Sequence, residues 1–430
     1  MAARPTVVLH SMIISSVRSF LLSYPLPEPV RLPFYGGERT ILKRDAMLIR
    51  IESDAGLVGY APGPGSQRAQ DIIESAIRPF LEGRTLADPD ALRIQFMERP
   101  AVDGAAAKTY CAVEVGLLDL CAKAMGVPLS EVLGGRVRGS IRLYGSAGMY
   151  MPPERYAAEA AAIADLGFRG YKMRPAGGPE PDLETVRQMR RAVGPDVDLM
   201  VDAHTWWRLG DGSYSFETVA QLAREMAAYE VAWLEEPLPP DDHEAYLRLK
   251  ERLKGTGYLP LASGEHEPSE ERFEDLILRQ AVDYVQMDVC CQGGFAMGRR
   301  LLGEIARANL RFAFHSWGTA LEVIAAAHLG ICWPETVVEW LEYPCYSAPG
   351  RAGMYPFPLA AEILKDPLEI DHGDLVVPRG PGLGVTVDES VIERYPWIPG
   401  PWSYFRTDSP PETRAVTSDH SVQWERPSSG

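Results

Sequence analysis

The sequence predicts an α/β protein: a modified TIM barrel of the (β/α)7β type, under an N-terminal α+β capping domain that the C-terminal segment completes. Three observations carry that expectation. From Ile141 onward, short apolar runs alternate with amphipathic helical stretches, as in a parallel sheet built of repeated strand and helix. Chemically active residues close seven successive runs, at Lys172, Asp202, Glu235, Glu265, Asp288, His315 and Glu342. Before residue 139 the pattern differs, with strand-like runs first and helical ones after.

Residues 13–23, 46–52 and 56–60 alternate strand-like runs with turn signals, among them the Pro/Gly-rich stretch through Pro33 and Gly36-Gly37. They read as an antiparallel meander. Residues 68–134 read as helical, with apolar residues at helical spacing over 112–120 before the Gly126-Val-Pro break. Residues 1–138 are therefore expected to form the capping domain and 139–365 the barrel. The seven strand ends lie 30, 33, 30, 23, 27 and 27 residues apart, and a barrel of about 250 residues divided among eight units allows roughly 31 each. An open doubly wound sheet alternates too, but seven active strand ends suit a closed ring better. After Glu342 the chain turns proline-rich, and strand-like runs at 375–377 and 385–387 point residues 366–406 back to the capping domain. Residues 407–430, polar with several prolines and serines, read as a surface tail.

Composition bounds the partners. Across 430 residues, 59 Asp and Glu outnumber 43 Lys and Arg, a net charge of −16, and no basic stripe is present to hold a phosphate backbone. Nucleic acid is excluded as an expected partner. The apolar run 12–22 is broken by Arg18 and three serines, too short and polar for a membrane span or signal segment. Six cysteines without CxxC pairing read as reduced core thiols, which points to the cytoplasm. Assembly as a homo-oligomer is expected from the prevalence of symmetric association.

Three acids close three consecutive strands: Asp202 in Leu-Met-Val-Asp, Glu235 in Trp-Leu-Glu-Glu-Pro and Glu265 in Ala-Ser-Gly-Glu-His. Strand C-termini converge on one barrel mouth, where three anions repel unless a cation sits among them. Hard oxygen ligands suit Mg²⁺. Asp288 and His315 close the next two strands; an Asp bonded to one imidazole nitrogen fixes the tautomer and makes the other a general base. Lys172 and Arg174 share one face of their strand, and arginine, charged at any working pH, serves as a fork for carboxylate rather than as a base. His204 stands two residues after Asp202 and is expected in the same cavity. Trp317 is a candidate pocket wall. Gly380-Pro-Gly-Leu-Gly384 and Gly293-Gly294 lack the context of a phosphate loop and read as tight turns.

These motifs, with Glu52-Ser-Asp-Ala-Gly-Leu-Val-Gly-Tyr, the segment 113–135 and Gly380-Pro-Gly-Leu-Gly, resemble the mandelate racemase branch of the enolase superfamily over nearly the whole chain. The resemblance implies Asp202, Glu235 and Glu265 as metal ligands, with Glu235 preferred to Glu236 as the acid two positions before Pro237. It also implies His315 with Asp288 as the base for one face of the substrate. Where the family often carries Lys-x-Lys, this chain has Lys172-Met-Arg174, which lowers the expectation of racemisation. His204, with His266 and the phrase Glu-Glu-Pro-Leu-Pro-Pro, implies dehydration of a sugar acid in which His204 protonates the departing hydroxyl. Glu342 is expected either to hydrogen-bond the developing enediolate or to be a buried acid. An epimerase or racemase and a metal-binding barrel without turnover stand as alternatives. Substrate choice is expected to lie in the capping loops at 32–39 and 62–67.

Overall fold

The computed structural model describes residues 12–34, 37–175, 177–209, 212–255, 257–348, 351, 353–408 and 411–416. Positions 35 and 36 of the first expected specificity loop, and 409–410 and 417–430 of the expected tail, lie outside the described residues.

The chain opens with a long antiparallel hairpin, β1 (Ile14–Phe34) and β2 (Gly37–Ser53), to which β3 (Val58–Gly63) adds on the far side of β2. The prolines at 25–29 interrupt the ladder only locally: pairing lapses between Pro25 and Val30 and then resumes to Phe34. Against this sheet packs helix α1 (Gly104–Met125), capped by the Asp103 side chain and closed by Gly126 in the left-handed conformation. Val113, Val115, Leu117 and Leu120 of α1 are fully buried.

Eight parallel strands then follow: β4 (Ser140–Met149), β5 (Gly170–Arg174), β6 (Asp198–Asp202), β7 (Val231–Glu235), β8 (Leu261–Ser263), β9 (Tyr284–Met287), β10 (Arg311–Phe314) and β11 (Val338–Pro344). Each pairs with the next, and β11 pairs with β4, so the ring closes as the alternation predicted. Seven helices alternate with the strands, the last being α8 (Ala320–Gly330); the six before it are α2 (Pro153–Asp165), α3 (Pro179–Val193), α4 (Phe216–Ala227), α5 (His243–Leu253), α6 (Glu270–Leu278) and α7 (Gly294–Arg307). No helix among the described residues is long and apolar enough to cross a membrane.

Inside the ring, Tyr144, Met200, Trp233, Ala262, Tyr284, Ala313 and Trp340 pack into a separate buried cluster. Side chains alternate along a strand, so the residue two positions on points the same way, one layer nearer the strand's C-terminus. That places Asp202 above Met200, Glu235 above Trp233, Gln286 above Tyr284 and Glu342 above Trp340. The apolar layer is thus the floor of the site.

The C-terminal segment departs from expectation in two places. Strands β12 (Ile370–Asp371) and β13 (Asp374–Val376) pair with each other, and β13 adds antiparallel to β4 of the barrel rather than to the capping domain. Residues 403–416 form strands β14 (Ser403–Asp408) and β15 (Pro411–Val416), and β14 pairs with β2. The expected tail is therefore partly sheet. Its side chains are mostly exposed at an edge, where backbone hydrogen bonds rather than apolar alternation hold a strand. Between these strands, Gly382 adopts φ 69° and presses on Asp119 of α1, which accepts the Leu383 N–H at 2.8 Å. A side chain at Gly382 would overlap that carboxylate.

Candidate active site

Among the described residues, the barrel mouth gathers six acids and six basic side chains. Lys172 Nζ, wholly buried, lies 2.8 Å from Glu235 Oε1, 3.1 Å from Glu342 Oε1 and 3.8 Å from Asp202 Oδ2. Arg174 reaches Asp202 Oδ2 through Nε at 3.0 Å and Glu342 Oε1 through Nη2 at 3.4 Å, with its guanidinium 4.6 Å from the centre of the Trp317 ring. The shared strand face expected for Lys172 and Arg174 brings both to one pair of carboxylates.

Across the mouth, His315 places Nδ1 3.0 Å from Asp288 Oδ2 and Nε2 3.2 Å from Glu265 Oε2. Burial opposes the imidazolium, but Glu265, Glu342 and the Asp288 hydrogen bond overcome it and push His315 up to about 10. His204 Nδ1 lies 2.5 Å from Asp202 Oδ1 and 3.8 Å from Glu265 Oε1. His266 bonds Glu236 at 2.7 Å and lies 3.3 Å from Glu265, while Arg208 contacts its Nε2 at 3.0 Å.

Oxygen and imidazole ligand atoms of Asp202, His204 and Glu265 lie within 4.8 Å of one another, as do those of Glu236, Glu265 and His266. Glu235 belongs to neither group. Its carboxylate is occupied by Lys172, by Trp233 Nε1 at 2.9 Å and by Gln286 Nε2 at 2.7 Å. Even so, burial first, and then Asp202, Glu265 and Glu342 against the relief from Lys172, push Glu235 up to about 8. Burial is the larger cause, and the crowded anions add to it. Glu236 Oε1 is buried without a hydrogen bond, while Asp202 Oδ2 is met by the charges of Arg174 and Lys172. A centre rich in buried carboxylate oxygens, with one of them unsatisfied, fits a hard divalent cation.

Glu342 is held below the ordinary range: burial works against its charge, but Lys172, His315 and Arg174 outweigh burial. Its Oε2 accepts the Ser316 N–H at 3.1 Å. Sequence reasoning missed Gln286 and the Trp233 indole, which face Glu235, and Arg208, which contacts the expected His266. Alternation along β7 and β9 was the available signal for the first two.

A closed parallel barrel with carboxylates, a His–Asp pair and a buried lysine at its strand ends, covered by an α+β domain, is an enolase-type enzyme fold. Residues 155–391 match the family model described as enolase C-terminal domain-like, and 23–134 match the mandelate racemase/muconate lactonizing enzyme N-terminal domain. The chain belongs to the mandelate racemase/muconate lactonizing enzyme branch of the enolase superfamily.

Among its relatives, D-galactarolactone cycloisomerase of Agrobacterium fabrum is 25% identical over 400 residues, covering 89% of this chain and 98% of its own. Arabinonate dehydratase of Saccharolobus solfataricus is 29% identical over 360 residues, 80% of this chain and 89% of that one. The solved 3,6-anhydro-D-galactonate cycloisomerase of Zobellia galactanivorans superposes with TM-score 0.74 at 27% identity, over 89% of this chain and 99% of that one. An enolase from alpha proteobacterium bal199 with bound Mg superposes at 0.72 and 25% identity, over 90% of this chain and 99% of that one.

Proposed function

We propose that the chain is a Mg²⁺-dependent sugar-acid dehydratase that removes the proton beside the substrate carboxylate and expels the β-hydroxyl as water. The observation that carries this reading is the His315–Asp288 pair, whose Nε2 stands beside Glu265 and near Glu342 Oε2, while Lys172 and Arg174 meet the other oxygen of Glu342. Asp202, Glu235 and Glu265 would hold the ion, which when bound supplies positive charge to the substrate carboxylate. His315 Nε2 takes the α-proton in its neutral form, which a cation bound at Glu265 would favour by offsetting the carboxylate that pushes the imidazole up, and Asp288 holds Nδ1–H so that the other nitrogen carries the lone pair. Lys172 and Arg174 stabilise the negative charge that develops on the carboxylate oxygens; one such donor lost typically costs about 3 kcal/mol of barrier. Glu342, ionised, orients both cations rather than donating a hydrogen bond. His204, anchored to Asp202 through Nδ1, delivers a proton from Nε2 to the leaving hydroxyl.

Dehydratases of gluconate, xylonate, arabinonate and rhamnonate among relatives at 24 to 29% identity support the elimination. The Mg in the bal199 enolase supports the ion. The cycloisomerase relative, matched over nearly all of its own length, favours a second reading, in which the same proton abstraction opens a sugar lactone. Arg174 argues against racemisation, which requires a base on each face. Incubating the protein and Mg²⁺ with aldonates, aldarates and their lactones separates these. Dehydration gives a 2-keto-3-deoxy acid with loss of water. Lactone consumption without dehydration of any free acid would transfer the assignment to a cycloisomerase, and α-deuterium gained without either would make the protein an epimerase.

A further inference from the structure

Above the site, strand β2 of the capping domain presents Arg44 to the barrel. The residue is only 6% exposed, and its Nε is buried with no hydrogen-bond partner. Among the described residues no carboxylate forms an ion pair with its guanidinium. Its neighbours are aromatic: the guanidinium carbon lies 4.7 Å from the centre of Tyr355 and 5.3 Å from that of Trp402. Ring faces stabilise a cation but leave its in-plane N–H donors without acceptors. A buried charge without a counter-ion is costly, so one that persists marks a place where an anion arrives.

The same aromatic wall leads into the active site. Tyr355 lies 4.5 Å, centre to centre, from Trp317, which carries Arg174 on its other contact at 4.6 Å. Tyr346 packs against both Tyr355 and Trp317, at 6.1 and 6.2 Å, and its hydroxyl is also buried without a partner. Two unsatisfied donors, one fully charged, thus share a wall with the arginine that faces the reacting carboxylate.

We propose that Arg44, with the Tyr346 hydroxyl, receives a second carboxylate at the far end of the substrate, so that the site is built for dianionic sugar acids of the aldarate class over monoanionic aldonates. This rests on the dehydratase reading for the reaction but not for the binding. Arg44 would then be a specificity residue lying on β2 itself, outside the segments 32–39 and 62–67, which were expected as loops but run largely in β1, β2 and β3.

The test compares matched aldarates and aldonates, each at saturating Mg²⁺, by kcat/KM and by calorimetric binding. Wild type should favour the aldarate at least tenfold, and Arg44→Met should reduce the aldarate-to-aldonate ratio at least tenfold in both readouts. Arg44→Met removes an unpaired buried charge and should melt no lower than wild type without ligand; Arg44→Lys, which keeps the charge without the fork, should give an intermediate ratio. Equal ratios in wild type and Arg44→Lys or Arg44→Met would overturn the proposal, as would a wild-type preference for aldonates or for acids whose distal group is a phosphate. If no acid loses water yet the binding ratio still depends on Arg44, the dehydratase reading fails and the anion site stands.

Discussion

Lys172 Nζ stands 2.8 Å from Glu235 Oε1 with both side chains wholly excluded from solvent, which makes this pair the electrostatic keystone of the barrel mouth. Glu235, pushed up to about 8, tolerates loss of its lysine by staying protonated, but Glu342, held below the ordinary range by the same lysine 3.1 Å away, would be left a less compensated buried charge, at a typical cost of about 3 to 5 kcal/mol. Lys172→Met should therefore lower the urea-unfolding free energy of the metal-free protein by roughly that amount, with Mg²⁺ restoring much of it. An unchanged unfolding midpoint would show that Glu342 does not depend on Lys172 to hold its buried charge.

The ligand assignment is separable from the compact Asp202–His204–Glu265 group. If Asp202, Glu235 and Glu265 hold the ion, Mg²⁺ at 100 times its Kd should stabilise the wild type by about 2.7 kcal/mol. Glu235→Gln and Glu265→Gln should lose that gain, and His204→Asn should keep it. Retention by Glu235→Gln with loss in His204→Asn would transfer the third position to the histidine.

Much of this was legible beforehand because the barrel repeats one physical rule. Apolar β6 and β7 end in Asp202 and Glu235, and alternation alone puts both over the Met200–Trp233 floor. The capping hairpin was legible in outline but longer than its turn signals implied, because Pro25 to Pro29 sit at a break in the ladder rather than at its end. Strands β14 and β15 were illegible for a different reason. Their residues 412–415 are exposed, so no apolar period marks them, and pairing with β2 is a long-range backbone event. Arg44 lies before the strand expected at 46–52 and nothing in the sequence marks it, because Tyr355 and Trp402, which stand beside it, are more than 300 residues away.

Away from the mouth, His328 on α8 supplies a pH-dependent brace. Its Nδ1 accepts the Ser130 N–H at 3.3 Å and its Nε2 donates to the Leu383 carbonyl at 3.1 Å, and burial pushes it down to about 4. The unfolded chain binds a proton near pH 6.5 and the folded one only near 4. Stability from this group is therefore full above pH 6.5 and is lost as pH falls through 4, by about 3 kcal/mol. His328→Gln should show a flatter decline than wild type over that window in chemical denaturation; parallel slopes would mean that the histidine is already charged in the folded state.

Asp288 acts through His315, and Asp288→Asn should leave substrate KM within a few-fold while lowering kcat by about 10²-fold or more, since the wrong tautomer removes the base. A raised KM with unchanged kcat would make Asp288 a binding residue instead.

The central claim is that His315 breaks the C–H bond and His204 only assists the leaving hydroxyl. It is tested most directly by following α-proton exchange in deuterated solvent with Mg²⁺ and an acid that returns from the enediolate more often than it eliminates. His315→Asn should lose both exchange and turnover. His204→Asn should still exchange at a measurable rate while dehydration falls, acid assistance being typically worth 10²- to 10⁴-fold. Exchange retained by His315→Asn, with normal dehydration by His204→Asn, would contradict the account and make Lys172 the next candidate base.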